Sequence, residues 1–276
     1  MKGWFASLRR DRTPAPAGPV TDARYREDVA QAEATPPETL EWILAQERDD
    51  IVAQGAAQNP RCPPAVLERA VEKGLVTKGG TYVLLAALRN PACPPYVLAS
   101  VARRRLPDEA TRAALKHPGL PPAILAELAD GAKDDDLLAM IVQAPHCPDD
   151  VINVTARRRD LSRARVEALR SPLCTPESIK SVLSDFESDL VSRTALQNPH
   201  CPPEAVAAIL SREADDDLSV WAAQHPKCSP DSMLLVLSRD ANDRVSRAIA
   251  ARPDCPAPLV QRWKEATGQA RRRPGA

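Results

Sequence analysis

Asn198-Pro199-His200-Cys201-Pro202-Pro203 precedes an apolar spacing of Val206 and Ile209, and the same pattern stands at Asn59-Pro60-Arg61-Cys62-Pro63-Pro64 and Asn90-Pro91-Ala92-Cys93-Pro94-Pro95. Working outward, leading prolines recur at Pro60, Pro91, Pro118, Pro145, Pro172, Pro199, Pro226 and Pro253, the first interval being 31 residues and the other six 27 each. Two positions after each comes Cys62, Cys93, Leu120, Cys147, Cys174, Cys201, Cys228 or Cys255, so all seven cysteines occupy one slot. A ninth unit lies upstream at Thr35-Pro36-Pro37, and 22 of the 28 prolines fall in three repeat positions. A fixed period of this length marks stacked supersecondary units.

Numbered from its leading proline, position 8 reads Leu40, Leu67, Leu98, Leu125, Ile152, Ile179, Val206, Met233 and Val260, and position 11 is apolar in eight of nine units, Thr155 being the exception. Apolar residues three apart, opened by prolines that a first helical turn tolerates, predict a first helix over positions 4 to about 14. Position 18 reads Asp50, Thr81, Asp108, Asp135, Ser162, Asp189, Asp216 and Asp243, all good N-caps, so a second helix is expected after each. Its buried face is position 20 (Val52 to Val245) with an alanine-rich position 24: Ala56, Ala87, Ala114, Ile141, Ala168, Ala195, Ala222 and Ile249. The next leading proline stops it, and Asn59, Asn90 and Asn198 in the preceding slot can bond the backbone of the turn. Two short helices cannot bury such a stripe alone, so the expected fold is all-α, an α-solenoid of about nine 27-residue two-helix repeats over residues 31–265. Residues 1–30 read as a flexible tail and linker, 266–276 as a disordered basic tail.

Composition supports this reading. Only 3% of the 276 residues are aromatic while 43% are hydrophobic, so neither an aromatic-centred core nor a disordered chain fits. An odd cysteine count excludes a complete set of intrachain disulfides, and the spacing is not that of paired zinc ligands. Met1 to Arg12 lacks an apolar run of signal-peptide length, and no stretch approaches 18 consecutive apolar residues, so a cytoplasmic location is expected. With 37 basic against 37 acidic residues, no global field draws nucleic acid or membrane.

The alanine-rich helix, the Asn-Pro-x-Cys-Pro-Pro turn, the leucine-bearing helix and the Asp cap together resemble the leucine-rich repeat variant (LRV) family of bacterial solenoids, over residues 31–265. The resemblance implies a right-handed superhelix that serves in macromolecular contacts rather than catalysis. The unit here is longer than the family's usual one. The family's iron–sulfur cysteine cluster ahead of the repeats has no counterpart, because no cysteine precedes Cys62.

Candidate sites follow from side chains the repeat does not bury. One cysteine per unit reads as a small buried hydrophobe, since stacked units stand about 9–10 Å apart, beyond disulfide reach. His117, His225, His146 and His200 read as turn or surface residues, and the runs Asp134 to Asp136 and Asp215 to Asp217 as caps rather than calcium ligands. No phosphate loop or nucleophile elbow appears, and no cofactor is implied. Positions 22 and 26 of the second helix carry Arg89, Arg112, Lys116, Gln143, Arg170, Arg193, Gln197, Gln224 and Arg247, the expected partner-binding stripe for an acidic protein. The alternative is nucleic acid held by Arg103, Arg104, Arg105, Arg157, Arg158 and Arg159, although Pro91 to Ser171 carries 12 basic against 11 acidic residues and phosphate binding favours a clearer excess. Trp4 and Phe5, beside basic residues, offer a peripheral membrane or docking tail, and Gly79-Gly80 marks a four-residue insertion whose role stays open.

Overall fold

A computed structural model describes residues 28, 30–46, 51–76, 81–105, 108–187 and 189–269. Trp4, Phe5, Asp50, the Gly79-Gly80 insertion and the C-terminal arginines lie outside the described residues. Among the described residues there are seventeen helices and no strand. The first helix of each pair is α1 (Pro37–Ala45), α3 (Pro64–Val76), α5 (Pro95–Ala102), α7 (Pro122–Ala129), α9 (Asp149–Arg157), α11 (Pro176–Leu183), α13 (Pro203–Leu210), α15 (Pro230–Leu237) and α17 (Ala257–Ala266). The second helices are α2 (Ile51–Gln58), α4 (Thr81–Arg89), α6 (Glu109–Lys116), α8 (Asp135–Val142), α10 (Ser162–Arg170), α12 (Leu190–Gln197), α14 (Asp217–Gln224) and α16 (Arg244–Ala250). The fold is an α-solenoid of repeated helical pairs. Its contacts divide the chain into two compact units, one reaching Asp130 and including Ala144–His146, the other comprising Gly131–Gln143 and the chain from Cys147 onward.

The first helix is tighter than its sequence suggests. Pro36, Pro94, Pro121 and Pro202 are extended N-caps, and the helix starts at the proline after each, at position 5 rather than 4. The reason is steric, since a residue before proline is pushed out of the α region. Where the pair is Thr175-Pro176 or Ser229-Pro230, the hydroxyl also accepts a first-turn N–H, from Ser178 at 3.3 Å or Ser232 at 3.1 Å. Most first helices end near position 12 rather than 14, because the chain turns through a left-handed residue at position 15. Arg105, Phe186, Glu213 and Asp240 have φ of 53°, 56°, 58° and 53° there. By contrast α3 runs on to Val76, and α17 reaches position 14 at Ala266.

Caps of the second helices mostly match expectation. Asp108, Asp189, Asp216 and Asp243 accept from the N–H groups of Thr111, Ser192, Ser219 and Ser246 at 2.8, 2.7, 2.7 and 2.6 Å. Asp135 and Ser162 are corrections. Asp134 caps α8, accepting from Leu137 N–H at 2.8 Å, while α10 follows Leu161 and has no side-chain cap of its own. Asp135 instead serves that next helix, accepting from Ala164 N–H at 2.7 Å and Arg163 N–H at 2.9 Å. A carboxylate at a helix N-terminus is stabilised wherever it comes from in the chain.

The core follows the periodicity. Leu40, Leu67, Leu98, Leu125, Ile152 and Ile179 at position 8 are essentially inaccessible, each contributing about 2 kcal/mol of apolar burial. Thr155, the one polar residue at position 11, is buried with them. All eight residues at position 24 are fully buried, from Ala56 to Ile249. Within each unit, successive second helices pack against one another more extensively than successive first helices do in most repeats. Alanine at the contact permits this, because it adds only a methyl between backbones and loses no rotamer freedom.

Candidate functional site

The slot before the leading proline does more than close its own turn in six of the eight repeats. Asn59 Nδ2 donates to the carbonyls of Ala30 and Ala32, both at 2.9 Å, and Oδ1 accepts from Arg61 N–H at 2.9 Å. Asn90 repeats the arrangement with Ala57 and Asn59 at 2.6 and 2.8 Å, and Asn198 with Leu169 and Ser171 at 2.6 and 3.1 Å. Each amide therefore bonds its own turn, as the sequence implied, and also the carbonyls of the preceding repeat. All three are buried, where an unpaired amide would cost more than its bonds return.

His117 and His225 take the same slot and are buried rather than at the surface, while each still bonds its own turn. His117 Nε2 lies 3.0 Å from Asn90 O and its Nδ1 accepts from Gly119 N–H at 2.9 Å. His225 Nε2 lies 2.8 Å from Leu196 O and its Nδ1 accepts from Lys227 N–H at 3.1 Å. A carbonyl on one nitrogen and an N–H on the other fix the neutral tautomer with the proton on Nε2. Burial, followed by the charges of Lys227 and Arg252, lowers the His225 pKa against the opposing Leu196 carbonyl. Arg252 fills the slot of the last repeat, donating to Ala223 O at 2.9 Å and His225 O at 2.8 Å. Other cations reach back in the same way: Lys227 to Pro199 and Cys201 carbonyls, Arg239 to Leu210 O, and Arg158 to Ala132 O. His146 and His200 are exposed.

All seven cysteines are free and buried, and Leu120 and Thr35 in the same slot are buried too. Burial, with a carboxylate nearby in each case, pushes the Cys62 and Cys147 thiols up to about 12, and burial raises Cys93, Cys174 and Cys201 to about 11. Such thiols are poor nucleophiles and metal ligands, since the thiolate is the reactive form. Among the described residues, no group of three or more His, Cys, Asp or Glu side chains is arranged to hold a metal ion. The acidic runs have structural work: Asp136 pairs with Arg163, Asp217 with Arg244 at 2.5 Å, and Asp215 accepts from Arg244 N–H at 3.1 Å.

All nine stripe residues are exposed. In the unit reaching Asp130, Arg89 lies 3.2 Å and Arg112 3.8 Å from Glu109, so one carboxylate partly neutralises both, while Lys116 is exposed beside them. In the other unit, Gln143, Arg170, Arg193, Gln197, Gln224 and Arg247 face solvent. Arg170 pairs with Glu167 at 2.8 Å, Arg247 donates to its own helix at Asp243 O, and Arg193 stacks 5.5 Å over the Trp221 ring. Sequence reasoning missed Trp221, Glu109 and Glu167. Trp221 was open to notice, being the lone aromatic on the second helices of its unit.

The six clustered arginines are each held within the chain. Arg103 makes a two-point contact with Glu127 at 2.9 and 2.7 Å, Arg104 lies 3.8 Å from Asp108, and Arg105 donates to Glu127 O at 3.4 Å. The Arg103 hydrogen bond holds the Glu127 carboxyl below its ordinary range. Arg157 donates to Asn153 O at 3.1 Å, Arg158 grips Asp160, and Arg159 pairs with Asp185. No helix among the described residues is long and apolar enough to cross a membrane. Comparison with known protein families, curated proteins and solved structures gives no match for this chain.

Proposed function

We propose that this protein is a non-catalytic, cytoplasmic helical-repeat scaffold that binds an acidic protein partner through the exposed position-22 and position-26 side chains of its second helices. The carrying observation is the contrast between two sets of arginines. Arg103, Arg104, Arg158 and Arg159 of the two clusters are paired with carboxylates of the chain itself, whereas no carboxylate of the described residues lies within 4 Å of Lys116, Arg193 or Arg247. A cation without a carboxylate partner keeps its charge for an acidic ligand, and the repeat holds such cations on rigid helices at regular intervals. The buried thiols of raised pKa, and the buried His117 and His225 whose ring nitrogens both serve the backbone, supply neither nucleophile nor base, which favours binding over catalysis.

Titrating the protein against labelled poly-L-glutamate and a generic DNA duplex at low and moderate salt tests this. Poly-L-glutamate is expected to bind, with binding weakened by salt and lost in the Arg112→Glu/Arg193→Glu/Arg247→Glu variant. Tight duplex binding that survives those reversals and fails on reversing Arg103 and Arg157 overturns the reading in favour of nucleic acid.

A further inference from the structure

The stripe of the unit from Cys147 onward carries a sharper statement, which rests on the acidic-partner reading. Arg193 and Arg247 stand at position 22 of repeats two apart, with Gln197 and Gln224 exposed at position 26 of the two helices α12 and α14. Arg193 stacks over Trp221 of the following repeat at 5.5 Å, so positions 22 and 23 of successive repeats are neighbours on one face. That stack also restrains the Arg193 guanidinium before any ligand arrives, which reduces the ordering cost of binding. Arg163, Arg170, Arg212, Arg239 and Arg244 of the same unit each have a carboxylate partner, and Arg193 and Arg247 have none among the described residues.

Pitch decides what shape of ligand fits. Neighbouring packed helices stand about 8–10 Å apart. A polyproline-II segment advances about 9.3 Å per three-residue turn, so it presents the same side once per repeat. A β-strand covers a similar distance in three residues and, alternating faces, returns to the same side after six, so either extended form brings two side chains to repeats two apart. An α-helix needs about 13 residues to span two repeats. A glutamine amide offers one acceptor and a donor pair, which matches the N–H and C=O of a passing peptide group.

We propose that this face binds an acidic segment of a partner protein in extended form, with two carboxylates six residues apart. One engages Arg193 and the other Arg247, while Gln197 and Gln224 bond the main chain between them.

The test uses the full chain and synthetic peptides in a proline- and alanine-rich host, bearing one glutamate, two spaced by six, two spaced by five, or two spaced by thirteen in a helical host. The six-spaced peptide is expected to bind about tenfold tighter than the single-glutamate one, as a second charge-assisted contact implies. Arg193→Gln or Arg247→Gln is expected to reduce it to the single-glutamate level with the circular dichroism spectrum unchanged. Trp221 emission, isolated by comparison with Trp221→Phe, is expected to shift on binding. Equal affinity at all spacings, a preference for the helical peptide, or binding untouched by either arginine variant overturns the arrangement. Spacing-independent binding that still falls in the variants sinks the arrangement and leaves the acidic-partner reading standing. Failure of every acidic peptide and of poly-L-glutamate, or a preference for duplex DNA, sinks both.

Discussion

Replacing Asn198 by alanine removes three contacts at once: donated bonds to Leu169 O at 2.6 Å and Ser171 O at 3.1 Å, and the bond accepted from His200 N–H at 2.8 Å. Each neutral hydrogen bond contributes about 1 kcal/mol net, and more where the abandoned partner is buried, so the loss is about 3 kcal/mol. For a chain of this size that lowers Tm by about 6–12 °C. Asn198→His provides the calibration, because His225 shows that an imidazole in this slot keeps one carbonyl contact and the i+2 N–H. It is expected to cost about 1 kcal/mol, the worth of the single bond not replaced. Urea unfolding followed by circular dichroism gives the overall change. Amide exchange in α10 and α12 gives the local one, which matters because stacked repeats depart from two-state behaviour. An alanine variant within 1 kcal/mol of the parent, or a histidine variant as damaging as alanine, refutes the claim that this side chain joins the repeats.

Three further outcomes are expected. His225 binds a proton less readily folded than unfolded, so its contribution is complete above the ordinary imidazole value of 6.5 and is lost as pH falls through the lowered folded value. The urea midpoint is expected to drop more between pH 7.5 and 5 in the parent than in His225→Asn, and parallel curves contradict this. Asp135→Ala, which strips α10 of two first-turn acceptors, is expected to cost about 1–2 kcal/mol in urea unfolding, against little for Asp130→Ala on the exposed surface. Finally, iodoacetamide at pH 8 is expected to leave the seven thiols largely unlabelled in the native protein and to modify all of them in urea, as counted by mass spectrometry. Rapid native labelling of Cys62 or Cys147 rules out the burial described.

Periodicity made the helical pairs legible, because positions 8 and 24 face the core in every repeat before the last and such burial leaves an apolar mark. Capping was legible wherever a single aspartate stood at position 18, as at Asp108 and Asp189. It failed in Asp134-Asp135-Asp136, where composition offers three acceptors and only the backbone turning helical selects one. His117, His225, Arg158 and Arg252 were misjudged or overlooked for a different reason. Their partners are main-chain carbonyls of the previous repeat, and a carbonyl is present at every residue, so no sequence pattern advertises it. The exposed stripe was readable by helical spacing, but its division into neutralised arginines and unpaired ones was not, since it turns on where Glu109 and Glu167 reach.

The pre-proline ladder has a direction. Asn59, Asn90, His117, Asn198, His225 and Arg252 all send their contacts to a repeat that lies earlier in the chain. During synthesis, the carbonyls that each of these side chains needs have already left the ribosome when the side chain emerges. A repeat that carries such a residue can therefore be captured by a finished neighbour instead of waiting for one, so that the stack can grow from the N-terminal end.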